Sequence, residues 1–139
     1  MIRQTGDSLI ATIDHDGFLC LNNLHTINLK DGNFDLRYIL GLINSKVLNY
    51  YFQYLNPEKG EALAEVKATN VKRLPIKELS PEKQKIIISI VIKMLNLNQE
   101  LLKETENSNQ WASIKTEIEK TDKKIDEEVY KLYGLTDEE

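Results

Sequence analysis

The stretch "SPEKQKIIISIVIKMLNLNQELL", residues 80–102, constrains this chain more than any other. Ser80 suits a helix N-cap. Pro81 suits the first helical position, where its missing N–H costs nothing, and Glu82 meets the positive end of the helix dipole. Ile86, Ile87, Ile90, Val91, Met94, Leu95, Leu97, Leu101 and Leu102 then make a broad apolar face. A helix with such a face must bury it against something. Residues 106–110 form a polar break, and a second helix is expected from near Trp111. Its Ile114, Ile118, Ile125, Val129 and Leu132 recur close to a heptad seam, and Gly134 is placed to cap it. Two long helices joined by a short polar turn should pack as an antiparallel hairpin.

The N-terminal part reads differently. "SLIATID" alternates with a period of about two, "HDG" offers the positive φ of a tight turn, and "FLCL" returns as a second strand. "LHTINL", with β-branched Thr26 and Ile27, reads as a third strand, and residues 30–33 as a loop. Asp35 is a plausible N-cap for one amphipathic helix over "LRYILGLINSKVLNYYFQYL", stopped by Asn56, Pro57 and Gly60. Residues 57–70 look irregular, with a short strand around 65–67, and Pro75 fixes "VKRLPI" as extended. The expected fold class is therefore α+β. A small sheet with a packed amphipathic helix occupies residues 1–79, and a two-helix antiparallel hairpin occupies residues 80–139.

Charge separates the same two parts. The net charge of -4 resides wholly in residues 80–139, because residues 1–79 balance nine Lys/Arg against nine Asp/Glu. The C-terminal helices are too acidic to lie along a polyanion. The first part must be judged by its local clusters. One cysteine, Cys20, rules out an internal disulfide and fits a reducing, cytoplasmic setting. No apolar run is long enough to span a bilayer, and no signal-peptide pattern opens the chain. No Gly-rich phosphate loop, metal-ligand spacing or nucleophile elbow occurs. His15, Cys20 and His25 are too few and too widely spaced for an ordinary structural zinc site. No catalytic residue and no resident cofactor are expected, and an independent small enzyme is the weakest reading.

Four blocks in order carry a resemblance. They are "IRQTGDSLIATIDHDGFLCLNNLHTI", "LRYILGLINSKVLNYYFQ", "VKRLPIKELSPEKQKIIISIV" and the closing "DEEVYKLYGLTDEE". Together they resemble the TaqI-like C-terminal target-recognition domain of adenine-specific DNA methyltransferases and fused restriction–modification enzymes. The third block is also similar to the junction before a long helix in type I specificity subunits. The resemblance implies a module that reads duplex DNA within a larger polypeptide, of which this chain is a fragment beginning inside a first strand. A separate methyltransferase domain would bind S-adenosylmethionine and carry an Asn-Pro-Pro-Tyr type motif, and a nuclease could be fused to it. Asn56-Pro57 lacks the second proline and the aromatic, so it is not that motif.

Phosphate contacts need Lys, Arg and small polar donors, and base contacts need bidentate or hydroxyl groups. Arg3, Gln4 and Thr5 supply both in one run, and their alternative is a solvated strand end. Asn22, Asn23 and His25 form a second polar group, of which Asn23 and His25 are taken as contacts against a turn-forming alternative. Lys67, Thr69, Asn70, Lys72 and Arg73 form the most basic run, suited to a phosphate backbone or simply solvated. Asn44 costs helix propensity, so a specific role is expected, first a hydrogen bond to nearby backbone and second a phosphate contact. Tyr50, Tyr51 and Tyr54 could stack on bases but at helical spacing suit packing better. The competing reading is an interaction or self-association module built on the C-terminal helices.

Overall fold

In the computed structural model, which describes residues 1–30, 32–61 and 63–136, two short strands precede five helices. They are β1 (Ile2–Arg3), β2 (Leu24–His25), α1 (Leu36–Asn44), α2 (Lys46–Leu55), α3 (Ala68–Val71), α4 (Pro81–Leu101) and α5 (Asn109–Tyr133). Asp31 of the expected loop, Ala62, and Asp137, Glu138 and Glu139 of the closing block lie outside the described residues. The strands pair antiparallel, Ile2 with His25 and Arg3 with Leu24, and the class is α+β.

Local chemistry sets most helix ends. The Asp35 carboxylate accepts the Arg37 N–H at 2.8 Å, and the Ser108 hydroxyl accepts the Trp111 N–H at 3.1 Å. Gly134 closes α5 in the left-handed region at φ 71°. Ser80 holds the N-cap position of α4, although its hydroxyl caps no N–H there.

One expected helix is two. Ser45 is extended, at φ -66° and ψ 154°, and interrupts the stripe between α1 and α2. Its hydroxyl donates to the Leu42 carbonyl at 2.6 Å and accepts the Leu48 N–H at 3.3 Å, ending one helix and opening the next. Asp126 of α5 completes the break. Its carboxylate accepts the Lys46 N–H at 2.9 Å and pairs with Lys46 Nζ at 3.0 Å, at the positive end of α2.

The three expected strands are mostly absent among the described residues. Residues 8–14 keep a single bridge, Ala11 with Ile2, and "FLCL" has no partner strand, with Leu19 98 % exposed. The reason lies in side chains that stand where a neighbouring strand would. The Asn44 amide accepts the Ala11 N–H at 2.9 Å and donates to the Ala11 carbonyl at 3.0 Å. Asn49 accepts the Leu9 N–H at 2.7 Å. The turn at residues 15–17 is held by the Asp14 carboxylate, which accepts the N–H groups of Asp16, Gly17 and Phe18. It is an Asp-capped loop rather than a two-residue hairpin. Residues 68–70, read as irregular, and Val71, read as extended, form the short α3.

Tyr38, Leu42, Leu48, Phe52 and Val66 are fully buried, and Ile87, Val91, Ile125 and Val129 join the same cluster. One core thus draws on both sides of residue 79. Gly41 makes the approach of α1 to α4 possible, since a Cβ there would lie 2.7 Å from Ile87 Cγ2 and 2.9 Å from Val91 Cγ2. Buried Gln84 ties α4 to the start of α1: it accepts the Asp35 N–H and donates to the Asn33 and Leu79 carbonyls. Tyr38 and Tyr133 donate to the carbonyls of Lys77 and Pro75, clamping the extended link into α4. The helices α4 and α5 pack along each other, with Lys93 paired to Glu117 at 3.2 Å.

Candidate nucleic-acid interface

The opening segment lies in the middle of the small sheet. Arg3 N–H donates to Ile10, Gln4 N–H donates to Asn23, Val66 N–H donates to Gln4, and Gly6 N–H donates to Ala64. Thr5 faces Glu65 in an antiparallel bridge. These bonds bring three polar runs far apart in sequence to one place: residues 3–5, residues 22–25 and the chain from Glu65 into α3.

Within this frame the candidates divide. Ile2 is buried, so alternation turns Arg3 and Thr5 outward, and both are exposed. The Arg3 guanidinium folds over Gly6, where a Cβ would come within 2.6 Å of Nη2, and Gly6 itself sits at φ +121°. Glycine is thus required at residue 6 for its φ, and its missing side chain leaves room for the arginine. Gln4 is half-buried, and Asn22 and Asn23 are exposed. Lys72 and Arg73 are exposed just after α3, and with Arg3 they take part in no ion pair among the described residues. Thr69 is exposed on α3.

Three candidates are occupied or turned inward. His25 shares the inner face with Ile2, and its Nε2 lies 2.6 Å from the Val66 carbonyl, so it fastens the sheet to the segment before α3. Asn70 is buried. Lys67 is exposed but pairs with Glu58; that hydrogen bond raises the lysine pKa and lowers the glutamate's. Of the candidate cations, Arg3, Lys72 and Arg73 are therefore the ones left without an ion partner among the described residues.

Asn44 bonds to backbone, as expected, but to that of Ala11, 33 positions away, rather than to the nearby backbone of its own helix. Asn49, which accepts the Leu9 N–H, and the buried Gln84 escaped sequence reasoning, because both act on loops distant in the chain. Tyr50 and Tyr54, for which packing is the sequence expectation, are instead exposed at 76 % and 83 % on α2. Their spacing of four did signal a shared face, but on the solvent side.

The profile of the TaqI-like C-terminal specificity domain matches residues 1–76, more than half of the chain. The chain belongs to this family. No curated protein and no solved structure matches it. The matched stretch of the specificity domain runs from the residue before β1 through Ile76 and includes all three polar runs, while α4 and α5 lie beyond it. No helix among the described residues is long and apolar enough to cross a membrane.

Proposed function

We propose that this specificity domain recognises a particular duplex DNA sequence on behalf of an adenine-specific methyltransferase. The methyl transfer, with its S-adenosylmethionine, and any cleavage belong to domains outside this chain. The observation that carries the reading is that the family match contains the three polar runs which the main-chain bonds gather around β1. In this reading Arg3, Gln4, Thr5 and Asn23 face base edges and sugar. Lys72, Arg73 and Thr69 follow the phosphates, and Lys67 joins them by exchanging Glu58 for a phosphate. His25 and Asn70 support the surface from within. Residues 1–79 form the reading unit, and α4 and α5 form an antiparallel hairpin that acts as spacer and docking element for the catalytic domain.

Binding of the full chain to short duplexes across a salt series tests this. Replacing Lys72 and Arg73 with alanine should weaken binding to every sequence alike and lower the salt slope by about 2, since each phosphate contact contributes about 0.9. Arg3→Ala should instead relax discrimination at one base position, by about 1–3 kcal/mol. Binding without salt dependence or sequence preference would sink the reading.

A second reading has its own support. Ile86 and Leu102, at 56 % and 87 % exposure, leave apolar surface uncovered on α4 and just past its end. Self-association through either residue would appear as concentration-dependent mass in sedimentation of the full chain without DNA. It would be lost on changing Ile86 and Leu102 to lysine.

A further inference from the structure

The loop that leads into β2, residues 14–23, presents apolar side chains to solvent. Phe18, Leu19 and Leu21 are exposed at 68 %, 98 % and 83 %. Single exposed apolar residues are ordinary, but three within four consecutive positions are a patch. The loop is also held in place. The Asp14 carboxylate fixes its first turn through the N–H groups of Asp16, Gly17 and Phe18. The Cys20 thiol turns back to Met1 Sδ at 3.1 Å, and the Asn23 carbonyl accepts the Gln4 N–H at 2.9 Å. With Cys20 fastened inward, its neighbours Leu19 and Leu21 stand outward as a ridge.

This ridge adjoins the polar runs gathered around β1. Leu24 pairs with Arg3, so their side chains share one face of the sheet, and both are exposed. Asn22 and Asn23, also exposed, join the ridge to that pair. The ridge is too narrow for a stable protein contact. Even at the roughly 250 Å² that the largest aromatic side chains bury apiece, three side chains fall short of the ~800 Å² per partner of a standard interface. Its rim is polar, since His15, Asp16, Asn22 and Asn23 are all exposed. A thin apolar edge beside an arginine and two amides suits a gap between stacked bases, where apolar side chains replace base on base.

We propose that the ridge is a wedge for duplex DNA: Leu19 enters between two adjacent base pairs, and Phe18 and Leu21 cover the bases it parts. The proposal rests on the reading of this chain as a DNA specificity domain, and adds that the domain deforms the site it reads. Parting a step kinks the duplex. The cost is least at flexible pyrimidine–purine steps such as TA and CA/TG. The recognised site therefore contains such a step beside the bases that Arg3 meets, and part of the specificity comes from deformability without a hydrogen bond. The Asp14 carboxylate is engaged in its turn, but exposed Asp16 repels phosphates at the start of the ridge. The duplex thus leaves the wedge toward Asn22, Asn23 and Arg3.

The test uses the full chain and duplexes that it selects from a random pool. Bending is read by energy transfer between labels at the two duplex ends. The chain should kink its selected site by roughly 20–90°. It should also bind about tenfold more tightly when a mismatch is placed at the parted step, where unstacking is already prepared. Changing Leu19 and Leu21 to serine should abolish the kink and the mismatch preference together, with an unaltered unfolding midpoint as the check of the fold. Sequence-selective binding to a duplex that stays straight would overturn the wedge and leave the recognition reading standing. So would a serine variant that bends the site as the unsubstituted chain does. Absence of any sequence preference would overturn both. Sedimentation without DNA adds one more outcome: a mass that falls on the serine changes, with bending retained, would assign the ridge to a second copy of the chain and overturn the wedge.

Discussion

From Leu36 to Tyr133 the main chain largely satisfies itself inside helices, and side chains do the packing. From Met1 to Leu29 the division of labour is reversed. There the strands are two residues long, and the backbone is held by groups sent from elsewhere, Asn44 on Ala11 and Asn49 on Leu9, while the His25 ring reaches out to the Val66 carbonyl. Cohesion in the helical part rests on close apolar contact and is lost globally when that contact fails. Cohesion in the sheet part rests on individual hydrogen bonds, each worth about 0.5–1.5 kcal/mol net, and can be lost locally. A surface that reads varied targets gains from the second arrangement, since its loops can change without endangering the core.

The largest effect expected from this contrast is at Gly41. Valine there would press into the Ile87 and Val91 methyl groups, which are buried and cannot swing away. Overpacking of this kind costs about 1–3 kcal/mol, and Gly41→Val should lower the unfolding midpoint of the whole chain in one cooperative step. A midpoint unchanged from the parent would show that α1 and α4 are free to separate, and the two parts would no longer differ in kind.

Next in size is Asn44→Leu, which removes both bonds to Ala11 and should cost about 1–2 kcal/mol. Its distinguishing mark is locality. Amide exchange at Ala11 should rise far more than at Leu42, which lies in the same helix as Asn44. Equal acceleration at both would mean that the sheet part and the helical part open together.

What the sequence disclosed follows the same divide. Asp35, Pro81 and Gly134 announce helix ends because capping is decided within a few residues, and each stands where it was expected. The break at Ser45 was hidden by an apolar stripe that continues across it; what opens the helix there is a serine flanked by Asp126, 81 residues away. The alternation in residues 8–14 showed one-sided burial correctly, with Leu9 buried and Ile10 exposed, but alternation says nothing about who supplies the ladder. Met1 and Arg3 supply it on one edge, and Asn44 stands on the other, where a further strand would lie. His25 could not be told from a DNA contact, because its partner, Val66, is fixed only by the tertiary fold. Arg3, Lys72 and Arg73 are exposed and join no ion pair among the described residues, but nothing in the sequence set Lys67 apart from them, because its pairing with Glu58 is made by the fold.

A smaller effect tests the clamp between the parts and the entry to α4. Burial, with help from the nearby Tyr133, pushes the Tyr38 phenol up to about 12 from its ordinary 10.0. The unfolded chain therefore loses this proton at lower pH than the folded one. The contribution is complete below pH 10 and is lost as pH rises from there toward 12. Tyr38→Phe should cost about 1 kcal/mol at neutral pH, from the lost bond to the Lys77 carbonyl. It should also flatten part of the alkaline decline in the denaturant midpoint, leaving the share of Tyr133, whose pKa burial also raises. An unaltered alkaline slope would mean that Tyr38 is solvated in the folded chain.

The smallest expected change in stability is at Arg3, and it bears most directly on function. Its guanidinium is exposed, rests over Gly6 and joins no ion pair among the described residues, so Arg3→Ala should shift the folding free energy by less than about 0.5 kcal/mol. The same substitution should alter DNA discrimination if the outward face of β1 reads bases. The two measurements together separate a reading residue from a fastening one: His25→Ala should fail the first test and Arg3→Ala should pass it. If Arg3→Ala instead destabilises the chain as much as Asn44→Leu, Arg3 holds the turn at Gly6. The free cations of the surface then reduce to Lys72 and Arg73, and base readout must come from Gln4, Thr5 and Asn23.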